Sequence, residues 1–195
     1  NKKTKIFYSG KNIISKNISK NSQIFNLFKN KIIIWDNFYA NDYCPRRLFV
    51  GPYIGRKKIK NIMINPTGLI NTDLLIIDIV ANTKNTTNTF QKWKNILDKH
   101  DVPKIFQKVK IYFVKPNFNS DTYINFNGYK NIHSDAIEFL LWSWKSELSR
   151  EWYPFLFGLK QDLLIYKKNL SCKRLLKTQT IPLAQYICKE LEKEN

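Results

Sequence analysis

Residues 32–56 read IIIWDNFYANDYCPRRLFVGPYIGR, and this stretch decides the fold class. The run Ile32–Ile34 is apolar without alternation, the pattern of a strand covered on both faces in a parallel sheet. Directly behind it stand Trp35, Asp36, Asn37, Asn41, Asp42 and Tyr43. The C-terminal end of a parallel strand is where α/β folds, barrels above all, set ligand-contacting residues. The connection Asp42–Arg56 is long for a strand–helix loop, and long ordered loops at that end of a sheet often carry function.

Two further runs share the pattern: KIFYSG at 5–10 and NIMINPT at 61–67 flank KIIIWDN at 31–37. Each opens apolar and ends in small or polar residues, and their spacing is that of one strand–helix unit. Helical connections are expected at Ser22–Lys29, with Ser22 as N-cap and Ile24, Phe25 and Phe28 on one face. Thr72–Ala81, capped by Asn71 or Thr72, and Thr86–His100, with Phe90, Trp93 and Leu97 on one face, continue the series. Residues 1–102 are therefore read as strand–helix units of an α/β fold.

A second regime begins near Asp101–Pro103, and 103–195 is expected to be mainly helical. Val109–Val114 reads as a strand or short extended piece, followed by an Asn-, Asp-, Ser- and Gly-rich segment at Pro116–Tyr129. A helix from Ser134 or Asp135 to Arg150 would bury Ile137, Leu140, Leu141, Trp144 and Leu148. Pro154 is expected to break or restart it, with Leu156, Leu159, Leu163 and Tyr166 buried beyond. A last helix is expected from Thr180 to Lys193, with Pro182 in its first turn. The aromatic set Trp142, Trp144, Trp152, Tyr153, Phe155 and Phe157 reads first as helix–helix core. Trp142 or Tyr153 turned outward would instead offer a partner surface.

Composition narrows the classes. With 195 residues, 43% hydrophobic and 14% aromatic, the chain can build a core and is not a disordered segment. A net charge of +18 raises the alternative of a basic nucleic-acid-binding module. That reading needs a continuous basic stripe, yet the lysines are scattered and only Lys57, Lys58 and Lys60 cluster tightly. Lys, Asn and Ile are over-used throughout, as in a compositionally biased coding sequence, so nucleic acid is not the expected partner. No uncharged apolar run reaches the roughly 18 residues of a membrane span. Cys44, Cys172 and Cys188 fit neither a disulfide framework nor a zinc ribbon and lean towards a reducing, cytoplasmic compartment. Cys44 reads as a packed thiol. His100 and His133 follow no metal-ligand spacing, and no cofactor is expected.

Two carboxylates and two carboxamides beside Trp35 and Tyr43 suit a neutral polyol, binding paired hydroxyls while an aromatic face packs on sugar C–H. The same residues commonly cap loops and turns, and the pattern alone does not choose. The motifs go further. WDNFYANDY, then RLFVGPYIGR and INP, preceded by FYSGKNIISKNI, resemble in order and spacing the catalytic domain of the protein O-GlcNAcases, glycoside hydrolase family 84. The likeness covers roughly the first 80 residues.

The resemblance implies the C-terminal portion of a (β/α)8 TIM barrel followed by a helical module. It implies retaining, substrate-assisted hydrolysis of terminal β-linked N-acetylglucosamine on a glycoprotein or glycan, with the acetamide oxygen as nucleophile. Trp35, Asp36 and Asn37 match residues lining the sugar pocket, Asp42 the grip on the 4- and 6-hydroxyls, and Asn65 a contact on the hydroxyl side. Ser9 stands where the family often has Thr. Tyr43, Arg47, Gly51, Pro52, Tyr53 and Arg56 match loop positions. The family's catalytic pair of consecutive aspartates has no counterpart in the chain and is expected upstream of Asn1, which is itself not Met. A non-catalytic carbohydrate-binding relative is the remaining alternative.

Overall fold

The computed structural model describes residues 4–15, 17–18, 23–28, 31–42, 48–57, 59–84, 86–114 and 131–167. The expectations for Ser22, Tyr43, Cys44, Arg47, Lys58, Pro116–Tyr129, Cys172, Cys188 and the helix Thr180–Lys193 lie outside these residues.

The three apolar runs form strands β1 (Ile6–Tyr8), β2 (Ile32–Asp36) and β3 (Ile62–Ile64). They make one parallel sheet in the order β1-β2-β3, with Tyr8 opposite Ile34 and Asp36 opposite Ile64. Helix α1 (Gln23–Phe28) lies in the first crossover, and Ile24 and Phe25 pack on a small cluster of Ile18, Ile32, Ile34 and Ile59. Phe28, expected on the same face, is exposed. The other sheet face carries Phe7, Trp35 and Met63, all exposed, with the Phe7 ring edge-on to Trp35 at 5.9 Å.

The second connection differs from a strand–helix unit. Its residues 48–53 run buried through the larger core. The indole of Trp93 donates to the Val50 carbonyl at 2.7 Å, and the Tyr39 hydroxyl donates to that of Gly51 at 2.9 Å. A Cβ on Gly51 would meet the Val114 carbonyl oxygen at 2.8 Å, so this crossing needs glycine for close approach.

Helix α2 (Ile70–Thr83) and α3 (Thr89–Lys99) follow β3. The N-cap position of α2, Leu69, makes no side-chain capping hydrogen bond. Glu151, from a later helix, accepts from the backbone N–H of Asn71 and Thr72, both at 2.8 Å, and from the Asn71 amide and Thr72 hydroxyl. A carboxylate there satisfies orphan donors and complements the helix dipole.

Val109–Val114 is not extended. It falls into two single turns, α4 (Phe106–Val109) and α5 (Ile111–Val114). Phe106, Val109, Tyr112 and Phe113 are buried, and their spacing of three closes a helical face as readily as a short strand. The expected helix 134–150 is also two: α6 (Asn131–Trp142) and α7 (Glu147–Lys167). Ser146 and Ser149 cap α7 reciprocally, each hydroxyl accepting the other's backbone N–H at 3.0 Å. Pro154 lies inside α7 and does not break it. It is exposed, while Leu148, Trp152, Leu156, Leu159 and Leu163 hold the opposite face in the core. Losing one donor to the Arg150 carbonyl is outweighed by that stripe.

One large cluster joins residues from Phe38 to Leu163, so the helices beyond 103 share a core with the strand–helix part. Among the described residues no helix is long and apolar enough to cross a membrane.

Candidate functional site

The parallel register sets the C-terminal ends of β2 and β3 side by side. One step past the strands, the Asn65 N–H donates to the Asp36 carbonyl at 2.9 Å, which fixes Asn65 beside Asn37. The Asn65 amide then donates to Asn37 Oδ1 at 3.2 Å and approaches Asp42 Oδ2 at 3.4 Å. The Asn37 amide donates to the Ile13 carbonyl at 3.0 Å, anchoring the cluster to the loop after β1. Asn37 is buried, Asn65 half-buried and Asp42 exposed, so the cluster grades from core to solvent within one turn. Trp35 lies on the open sheet face, 36% exposed.

Ser9 follows β1 at the same edge and is half-buried; Gly10 behind it has φ 103°. A Cβ on Gly10 would meet Ser15 Oγ at 2.1 Å, so the turn that carries Ser9 requires glycine.

Asp36 departs from the expectation of a pocket-lining group. Strand alternation turns it away from Trp35, and it is 1% exposed. Arg56 Nε donates to its Oδ2 at 2.7 Å and Nη2 to its Oδ1 at 2.9 Å. The Tyr53 hydroxyl adds 2.6 Å to Oδ2 and the Phe38 N–H 3.2 Å to Oδ1. Both oxygens are thus committed to protein donors. Arg56 also donates to the carbonyls of Ser15 at 2.6 Å and Ile54 at 3.1 Å, and its guanidinium lies 4.3 Å from the Phe38 ring centroid. Burial first, then the adjacent Asp36 carboxylate, pushes the Tyr53 phenol above its ordinary pKa, which keeps it a proton donor to Asp36.

From the sequence, Tyr53 and Arg56 belong only to loop architecture. The available signal was an arginine closing the uncharged run Leu48–Gly55, since a charge inside such a run must find a partner.

Elsewhere, Trp144 and Trp152 are core residues, as the first reading of the aromatic set expected. Trp142, Tyr153 and Phe157 are exposed, and the first two border a groove of 660 Å³ at the α6–α7 turn. His100 pairs with Asp78 at 2.7 Å. Among the described residues no group of three or more His, Cys, Asp or Glu is arranged to hold a metal.

The chain thus sets a carboxylate–carboxamide cluster at the C-terminal edge of a small parallel sheet within an α/β fold. The β-N-acetylglucosaminidase family model matches residues 1–109, more than half of the chain, and the chain belongs to that family. The protein O-GlcNAcases of Rattus norvegicus and Mus musculus are each 31% identical to it across 49% of this chain. The chain spans only 11% of the length of those relatives. A mutant O-GlcNAc hydrolase from Thermobaculum terrenum shares the fold with TM-score 0.55 at 16% identity, covering 97% of this chain and 50% of its own.

Proposed function

We propose that the protein is a β-N-acetylglucosaminidase of the O-GlcNAcase kind. It would remove terminal β-linked N-acetylglucosamine from a glycoprotein or glycan by a retaining, substrate-assisted route. The chain would supply the sugar-gripping part of the pocket, on the C-terminal portion of a (β/α)8 barrel with the helices from 103 onward beside it. The observation that carries this is the convergence of Asn37, Asp42 and Asn65 at the C-terminal edge of β2 and β3. The exposed Asp42 carboxylate accepts hydrogen bonds from the 4- and 6-hydroxyls. Asn65 holds the hydroxyl side of the ring, Asn37 faces the acetamide side, and Trp35 and Ser9 line the wall. Membership of the family and the apolar, uncovered sheet face of Phe7, Trp35 and Met63 support the barrel reading. Asp36 is assigned no contact with sugar, and no acid or base is assigned within the chain.

The test is hydrolysis of a simple aryl β-N-acetylglucosaminide by the full-length protein. A charge-assisted hydrogen bond contributes about 1.5–3 kcal/mol, so Asp42→Ala lowers kcat/KM by roughly 10- to 100-fold with the fold intact. Unchanged kcat/KM would remove Asp42 from the site. Sugar binding without turnover by the wild type would favour the non-catalytic relative.

A further inference from the structure

The buried group Asp36–Tyr53–Arg56 lies behind the proposed sugar edge, and the loops after β1 and β2 are tied to its side chains, while the loop after β3 joins it through the Asn65 N–H on the Asp36 carbonyl. Asp36 ends β2 and immediately precedes Asn37. Its carboxylate holds the Phe38 N–H, which starts the turn leading to Asp42. Arg56 reaches back to the Ser15 carbonyl, in the same loop whose Ile13 carbonyl receives the Asn37 amide. Two loops from different strands, and the returning segment Tyr53–Arg56, therefore meet on one guanidinium.

Core filling alone does not call for such a group. Apolar residues of similar volume in place of a buried ion pair are often as stable or more so, whereas an ion pair with fixed hydrogen bonds admits one geometry. Arginine's planar fork satisfies Asp36 bidentately and still has donors for two carbonyls, which lysine cannot reproduce.

We propose that Asp36, Tyr53 and Arg56 form a positioning unit that sets Asn37 and Asp42 against Asn65, and so sets the affinity for the terminal sugar. The inference rests on the sugar-site reading above. None of the three touches substrate; each acts through the loop it holds.

Two variants of the full-length protein test it, each read by kcat, KM and the dissociation constant of free N-acetylglucosamine, with thermal unfolding alongside. The first, Asp36→Leu/Tyr53→Phe/Arg56→Met, replaces the whole unit by apolar groups so that no buried charge is orphaned. Its expected outcome is cooperative unfolding, with kcat/KM lowered and sugar dissociation raised by about tenfold or more. A folded triple variant with both values within about twofold of wild type overturns the proposal. The second, Tyr53→Phe, removes one hydroxyl from a ring that stays packed and answers even where the triple variant does not fold. Its expected outcome is sugar affinity weakened about threefold or more with unfolding still cooperative, and unaltered affinity overturns the proposal. Asp42→Ala run in parallel separates the two failures. If it loses activity and the positioning variants do not, the unit is merely structural. If it too is without effect, the sugar-site reading falls and takes this inference with it.

Discussion

At the residue scale, Asp36 and Asp42 are two carboxylates six positions apart in sequence whose surroundings differ sharply. Asp42 is exposed and available, whereas Asp36 is enclosed by Arg56, Tyr53 and the Phe38 N–H. Removing one partner of a buried pair leaves an uncompensated charge, so Arg56→Ala is expected to cost about 3–5 kcal/mol, measured by urea unfolding. A loss below roughly 1 kcal/mol would mean that water or another group replaces the guanidinium. The motif WDN was legible as the polar end of a buried strand, but the sequence did not separate the surroundings of its members. Side-chain direction depends on which sheet face is covered, and that is a property of packing. The partnership of Asp36 with Arg56 spans twenty positions, beyond any local pattern.

At the scale of elements, the strands were legible because continuous apolar runs ending in polar residues have few alternatives. The ends of α6 and α7 were not. The buried residues Ile137, Leu140, Leu141, Trp144 and Leu148 all lie in the core, but the first three come from α6, Leu148 from α7, and Trp144 from the turn between them. The missed signal was Ser146-x-x-Ser149, a reciprocal cap with serine where glutamate is usual. Ser146→Ala is expected to cost about 1 kcal/mol in chemical denaturation.

The cap of α2 was sought locally, at Asn71 or Thr72, and instead comes from Glu151. Burial pushes the Glu151 carboxyl up, but the donors of Asn71 and Thr72 outweigh it and hold its pKa below the ordinary value. A depressed carboxylate pKa means stability present above the unfolded-state pKa and lost as pH falls through the folded value. Glu151→Gln is therefore expected to lower stability at pH 7 by about 1 kcal/mol. The difference from wild type should shrink as the solution is acidified below about pH 4.5, followed by denaturation midpoints across pH. A difference that does not change with pH would show that the charge of Glu151 is irrelevant to the cap.

At the scale of the whole molecule, the larger core runs from Phe38 to Leu163 without a seam at 102–103. Trp152 of α7 donates to Thr72 Oγ1 of α2 at 2.9 Å, beside the Glu151 contacts, so the helical region also terminates a helix of the strand–helix region. One cooperative unfolding transition is expected, with tryptophan fluorescence and far-ultraviolet circular dichroism coincident; two separated transitions would mark independent units.

The proposed grip of Asn37, Asp42 and Asn65 on the terminal sugar is checked by titrating N-acetylglucosamine into amide-labelled protein. Saturable shifts of the Asn37 and Asn65 side-chain amide resonances are expected, with affinity at least about tenfold weaker in Asp42→Ala. Shifts confined to the groove beside Trp142 and Tyr153, or affinity unaltered in Asp42→Ala, would contradict it.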